Sequence, residues 1–138
     1  MKKLITLIFI ITLTKLSAQT SEFNALLQKH VDERGNVDYK SLKTNEAKLD
    51  SYLSYLNKIA PNKEWSANKE KAFWINAYNA YTIKIILNNY PLKSITDIKR
   101  KGKTAWKTPL VRVGGKIYTL DHVEHEILRK KFKDPRIH

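Results

Sequence analysis

The sequence predicts an α+β fold that is mostly helical, with a central buried helix packed by flanking helices and by one two-stranded β-hairpin. Two observations support this prediction. In the stretch 71–91, apolar side chains cover most of the circumference of a helix, and such helices are usually buried. Gly114 and Gly115 lie between two short β-prone runs, a pattern typical of a hairpin because a type I′ turn needs positive φ at both central residues.

Residues 1–18 have the plan of a secretory signal peptide: a basic start at 2–3, an apolar run over 4–13 and a cleavage point before Gln19. The apolar run is about half of the roughly 20 residues that span a bilayer. A buried helix or a membrane anchor is the alternative, and Leu16 is larger than the small residue such sites prefer. We therefore predict an exported protein, periplasmic or extracellular, with no transmembrane helix in the mature chain.

The remaining chain, 19–138, has the length of a single domain. The full chain carries a formal net charge of +13 and no cysteine, so disulfides and thiol chemistry are excluded within it. A basic cluster could bind an anionic component of the cell envelope, whereas nucleic acid is an unexpected partner for an exported protein. The alternative is a solvated loop without a partner. The cluster consists of Lys99, Arg100, Lys101 and Lys103.

Before the central helix, the spacing of apolar residues predicts a short helix over 21–31 and a longer one over 42–60, which Pro61 ends. Between them, a turn at 34–36 leads into a short extended piece at 37–39.

Ser66 is placed to cap the central helix, because its hydroxyl can accept a bond from an N–H of the first turn. After Pro91, the sequence predicts one helical turn over 94–98 and then the hairpin. Thr119 can cap a last helix over 120–132.

Glu124 lies in the middle of the apolar face of that last helix at about 100° per residue. A carboxylate is costly to bury there unless it is paired. We predict that Glu124 pairs with Arg136 or His138, near the face of the central helix that carries Asn76 and Asn79. The alternatives are a structural ion pair, or a glutamate at the edge of the buried face.

The candidate catalytic residues are therefore Glu124, His125, Arg136 and His138. Asn76 and Asn79 are candidate binding residues, although such asparagines more often satisfy backbone groups of a neighbouring loop. Neither a metal nor a cofactor is expected. His122, His125 and His138 carry no further metal-binding motif, and the HExxH pattern, the P-loop and the dinucleotide fingerprint are absent from the sequence. The nucleophile elbow of serine hydrolases is absent as well.

Several motifs occur in one order along the chain and together resemble the bacterial domain-of-unknown-function 547 family: Val37-Asp38-Tyr39, Phe73 to Ala80, Val111 to Leu120, Glu124 to Arg129 and Asp134 to His138. The resemblance implies no reaction. In family members a strand and a cysteine-containing stretch follow the last motif. The resemblance therefore implies that this chain is the N-terminal part of a longer domain, incomplete at its C-terminus.

Two hypotheses of function remain at this point, and whether the protein is an enzyme stays open. One is a binding or scaffold module of the cell envelope. The other is a hydrolase or acyl-transfer enzyme of papain-like or transglutaminase-like kind, whose thiol would lie beyond residue 138.

Overall fold

The protein is mostly helical with two small antiparallel β-hairpins, which confirms the predicted α+β class. The computed structural model describes residues 18–135 and residue 137. The chain divides into two compact units, Met1–Tyr52 and Leu53–His138. The predicted signal peptide falls almost entirely on residues 1–17, which lie outside the described residues.

The first unit contains helix α1, which covers 18–30, then α2 at Tyr39–Lys43 and the start of α3, which spans Glu46–Lys58. An isolated antiparallel bridge joins Val31 to Val37. The core of this unit includes the parallel rings of Phe23 and Tyr52, with centroids 4.2 Å apart.

The single helix predicted over 42–60 is wrong, because the structure has two helices with a break at residues 44–45. Asp38 starts α2 early, since its side chain accepts the Ser41 N–H. The hydroxyl of Thr44 donates to the Ser41 carbonyl and ends the turn. Tyr39, predicted to be extended, is the first residue of α2.

The second unit is built on α4, Ala67–Asn88. The Ser66 hydroxyl accepts the Lys69 N–H at 3.2 Å, which confirms the predicted cap. Most of the apolar side chains of α4 are buried, as predicted. Ala72 is exposed, and so is the polar Asn79, which lies on the same face of the helix. The helix is therefore covered on most of its circumference and open along one strip. Its buried residues are Phe73, Trp74, Ala77, Ala80, Tyr81, Ile83 and Leu87.

The predicted hairpin is confirmed as β3, Val111–Val113, and β4, Lys116–Tyr118. Gly114 and Gly115 form its turn with φ of +56° and +78°. Both glycine N–H groups also donate to carbonyls at the end of α3, those of Leu56 and Asn57, at 3.1 and 2.7 Å. A Cβ added at Gly114 would lie 2.6 Å from the Cβ of Ala60, so only glycine fits there.

The chain between α4 and β3 forms a 3₁₀ turn, Ile95–Asp97, and then a second hairpin where the sequence predicted a loop. Its strands are β1, Lys99–Arg100, and β2, Lys103–Thr104. Lys101 and Gly102 make the turn, with φ of +49° and +75°. We call residues 99–104 the basic hairpin.

The last helical segment is a π-helix, His122–Arg129, followed by a short α5, Lys130–Phe132. The Thr119 hydroxyl accepts the His122 N–H at 3.0 Å, as the sequence predicted. In a π-helix, backbone hydrogen bonds join residues five apart, so positions estimated at 100° per residue do not apply. Within residues 18–135, no helix has the length and apolar character needed to cross a membrane.

Candidate functional site

Glu124 lies where α4 packs against the π-helix, and its side chain is 18% exposed. Its Oε1 accepts a hydrogen bond from Arg129 Nη2 at 2.6 Å, and its Oε2 accepts one from the Tyr78 hydroxyl at 3.1 Å. Glu124 and Arg129 are five residues apart, which is the hydrogen-bond spacing of a π-helix. The winding of the helix thus brings a cation of the same segment to Glu124.

Two further ion pairs join α4 to the chain beyond the π-helix. Lys71 Nζ lies 3.0 Å from Asp134 Oδ2, and Lys131 Nζ donates to both Glu70 oxygens at 2.6 and 2.8 Å. The early residues 70 and 71 of α4 contact residues 131 and 134, whereas the later residue 78 contacts residue 124, so α4 and the partner segment run antiparallel. We call the three contacts together the polar seam: Tyr78–Glu124, Lys71–Asp134 and Glu70–Lys131.

Tyr78 has the most perturbed environment in the polar seam. Burial, reinforced by the negative charge of Glu124 and the hydrogen bond to it, raises the pKa of Tyr78 to about 12. A hydrogen bond from the Trp106 side chain acts in the opposite direction, and the Asp121 carboxylate adds to the rise. The Tyr78 hydroxyl therefore keeps its proton near neutral pH and donates it to Glu124.

The polar seam is suited to holding two helices together. Each Glu124 oxygen accepts a hydrogen bond from a side chain, so both oxygens of the carboxylate are engaged with the protein. The other two contacts of the polar seam, Lys71–Asp134 and Glu70–Lys131, are ion pairs. The seam thus explains how a carboxylate is tolerated beside the core.

The other sequence-predicted candidates do not converge on Glu124 in the described part of the chain. Arg136 and His138 lie outside the described residues, so their pairing with Glu124 stays a prediction. His125 is exposed on the π-helix. Asn79 is exposed and Asn76 half-buried, so this face is less buried than the sequence predicted. Their role in binding stays a prediction.

The basic hairpin is a second candidate site. Its four cations, Lys99, Arg100, Lys101 and Lys103, are all exposed. Within the described residues, none of them takes part in an ion pair. Two residue pairs link its strands, Lys99 with Thr104 and Arg100 with Lys103. The hairpin therefore places positive charge in solvent without using it in the described fold.

A pocket of about 340 Å³ opens beside the basic hairpin. Lys99 and Arg100 line it from β1, and Lys84 lines it from α4, while Lys101 and Lys103 are not among its lining residues. None of its described lining residues is acidic. The remaining wall is formed by apolar, hydroxyl and amide side chains: Tyr81, Ile85, Asn88, Asn89, Ile98, Thr108 and Leu110.

Tyr78 and Arg129 are partners of Glu124 that the sequence did not predict. Tyr78 counts as apolar in the hydrophobic pattern of 71–91, yet a buried tyrosine hydroxyl usually needs a hydrogen-bond partner. That rule could have identified Tyr78 as a polar contact of the central helix. Arg129 could be found only by expecting five-residue spacing, for which the sequence carries no marker. The pocket joins residues of α4 to residues ten or more positions later, so spacing along the chain does not reveal it.

The second unit thus carries a polar seam between helical segments and, beside the basic hairpin, a basic pocket. The chain belongs to the family described as "Protein of unknown function, DUF547", whose model matches residues 62–138, more than half of the chain. This confirms the family resemblance. Searches of curated proteins and of solved structures gave no match.

Proposed function

We propose that this protein is an exported binding module that attaches to an anionic component of the cell envelope through the basic hairpin. The observation that supports the proposal is the set of four exposed cations, Lys99, Arg100, Lys101 and Lys103, without ion-pair partners among the described residues. Charge held in solvent by a short hairpin is available to a partner. The polar seam, by contrast, has its charges engaged inside the protein.

An anionic membrane surface is the simplest form of such a component. Each Lys or Arg near an anionic surface contributes about 1 kcal/mol to attraction. Four such residues could therefore produce measurable binding to vesicles, and the binding should weaken at high salt because screening shortens the range of the attraction to about 3 Å at 1 M.

The test measures co-sedimentation of residues 19–138 with phosphatidylglycerol-containing vesicles and with phosphatidylcholine vesicles. Replacing all four hairpin cations by glutamine should lower affinity for the anionic vesicles by roughly 100-fold or more. A matched control removes the same charge elsewhere, from exposed lysines outside the hairpin: Lys48, Lys58, Lys63 and Lys93. Equal loss in both variants would show that only net charge matters and would contradict a hairpin site.

Export is tested separately by N-terminal sequencing of protein recovered from the cell envelope. The mature chain should begin near Gln19 or Thr20, because the cleavage point is predicted there. Soluble cytoplasmic protein that keeps Met1 would contradict export.

A further inference from the structure

The pocket beside the basic hairpin combines positive charge with an apolar wall. Lys99 and Arg100 are exposed cations at the pocket. Ile85 and Leu110 are half-buried, and Ile98 is 7% exposed, so apolar surface remains within reach of a ligand. A volume of about 340 Å³ lies within the range of small-molecule sites, about 300–1,000 Å³.

The lining selects the charge of the ligand. Because the described lining contains cations and no carboxylate, its charge favours an anion over a metal ion or an amine. An anion would meet Arg100, whose planar fork can bind both oxygens of a carboxylate.

The apolar part of the lining favours a ligand that also carries an apolar chain. A small inorganic anion would leave Ile85 and Leu110 in water, whereas an apolar chain would cover them at a gain proportional to the area removed from water. A ligand with one acid group and one short apolar chain uses both parts of the lining.

We propose that this pocket binds a free single-chain amphipathic carboxylate, with its acid group at Arg100 and Lys99 and its chain against Ile85, Ile98 and Leu110. The inference rests on the proposed function at one point: Lys99 and Arg100 take part both in the pocket and in attachment to the anionic surface. Lys101 and Lys103 also belong to the basic hairpin, but they do not line the pocket. Binding in the pocket and attachment to an anionic surface are therefore separable.

The first experiment uses residues 19–138 and three probes, namely octanoate, acetate and octanol, with binding followed by calorimetry or by NMR shifts. Octanoate should bind with a dissociation constant on the order of 0.1–1 mM, a range set by its few non-hydrogen atoms. Acetate and octanol should each bind about tenfold or more weakly, since each lacks half of the interaction. Equal binding of acetate, equal binding of octanol, or no binding of octanoate would overturn the proposal.

The second experiment compares two neighbouring residues of one hairpin. Arg100→Gln should weaken octanoate binding about tenfold, while Lys101→Gln should leave it unchanged. Both changes should weaken binding to phosphatidylglycerol vesicles to a similar degree. Unequal effects on octanoate support the pocket, and equal effects contradict it. Unchanged melting temperatures show that both variants are folded.

The vesicle measurements also distinguish this inference from the proposed function. If vesicles bind and octanoate does not, the pocket proposal fails alone; if octanoate binds and vesicles do not, the proposed attachment fails alone. A lipid headgroup is the competing source of the acid group. Octanoate should weaken vesicle attachment only partly, because it neutralises Lys99 and Arg100 while Lys101 and Lys103 still contact the surface. Complete release at saturating octanoate would assign the pocket to a membrane lipid and overturn the assignment to a free carboxylate.

Ile85→Ser tests the apolar wall without changing any charge. Because Ile85 is half-buried on α4, the change removes apolar contact area from the pocket. Octanoate binding should weaken about fivefold to tenfold while vesicle binding and acetate binding stay the same. Octanoate binding that survives this change in a folded variant would contradict contact between the chain and this wall.

Discussion

The two β-hairpins of the second unit are almost equally small, yet the fold uses them in opposite ways. In the β3–β4 hairpin, Val111 and Val113 are 0% and 2% exposed, and the Tyr81 hydroxyl donates to the Arg112 carbonyl at 3.1 Å. Its turn is fixed to the end of α3 by the two glycine N–H groups. In the basic hairpin, all four cations are exposed, and nothing lies within 4 Å of a Cβ added at Gly102.

The difference separates polar groups that the fold requires from polar groups that it leaves for a partner. A backbone N–H bonded to a neighbouring element contributes to stability, since leaving it unpaired in the interior is costly. An exposed ammonium group has water as its partner and contributes little to folding. On this comparison the β3–β4 hairpin is structural and the basic hairpin is the better candidate for function.

The largest effect should come from the turn of the β3–β4 hairpin. Gly114→Val places a side chain against Ala60 and a branched residue at positive φ, so it should lower the free energy of unfolding by about 2–5 kcal/mol. Urea unfolding followed by tryptophan fluorescence measures this.

Gly115→Val is the matched control for that substitution. Its φ is +78° and nothing lies within 4 Å of the added Cβ, so only backbone strain of about 1–2 kcal/mol is expected. Equal losses at the two glycines would show that the contact with Ala60 does not fix the turn.

Glu124 extends the comparison to charged side chains. Glu124→Ala should cost about 1.5–3 kcal/mol, because it removes two hydrogen bonds from an ionised group. A larger loss is not expected, since Arg129 is 41% exposed and regains water. Glu126, in the same π-helix, is 54% exposed and pairs with Lys130 of α5, so Glu126→Ala should cost only about 0.2–0.5 kcal/mol. A similar loss in both variants, measured by urea unfolding, would place the polar seam among ordinary surface pairs.

His30 differs from both kinds of polar group described above, because it is buried and yet incompletely paired. It is 3% exposed, its Nε2 lies 3.3 Å from Asn45 Nδ2, and its Nδ1 has no hydrogen-bond partner among the described residues. Burial, with the nearby charge of Lys29, lowers the pKa of His30 below its ordinary value of 6.5, and Asp38 opposes this.

The unfolded chain therefore binds a proton at His30 more readily than the folded chain. Stability should fall as pH is lowered from about 7 through 6.5 and towards the lower folded pKa. Melting temperatures between pH 8 and 5 measure this, and His30→Gln should flatten the dependence, whereas the exposed His125→Gln should not. A wild-type curve that rises as pH falls would contradict the assignment.

The smallest effect should follow from neutralising the basic hairpin. Replacing its four cations by glutamine should change the free energy of unfolding by no more than about 0.5 kcal/mol, since exposed positions without partners contribute little. The same variant is expected to lose binding to anionic vesicles. A large loss of stability would show that these cations belong to the fold and would remove the contrast between the two hairpins.

The sequence predicted those elements that local chemistry decides. Ser66 and Thr119 cap their helices as expected, and Gly114 and Gly115 form the predicted turn. Local rules failed at the start of one helix and at the winding of another. Asp38 began α2 before the apolar stripe, and the π-helix moved Arg129 to Glu124.

The candidate site could be predicted only in part. The cations of the basic hairpin are visible in the sequence, but their separation into residues that line the pocket and residues that do not depends on a turn at Lys101 and Gly102 with positive φ. Positive φ at a lysine is uncommon, so local propensity does not indicate it.

The polar seam also bears on the order in which the chain can fold. Its contacts join residues 46, 61 and 63 positions apart. Closing such long loops costs entropy before any contact forms, and contacts between distant residues slow folding. A ribosome finishes α4 well before it makes the π-helix, so the nascent chain presents this part of the α4 surface uncovered during the interval. The rate of refolding should therefore be limited by the docking of the π-helix against α4.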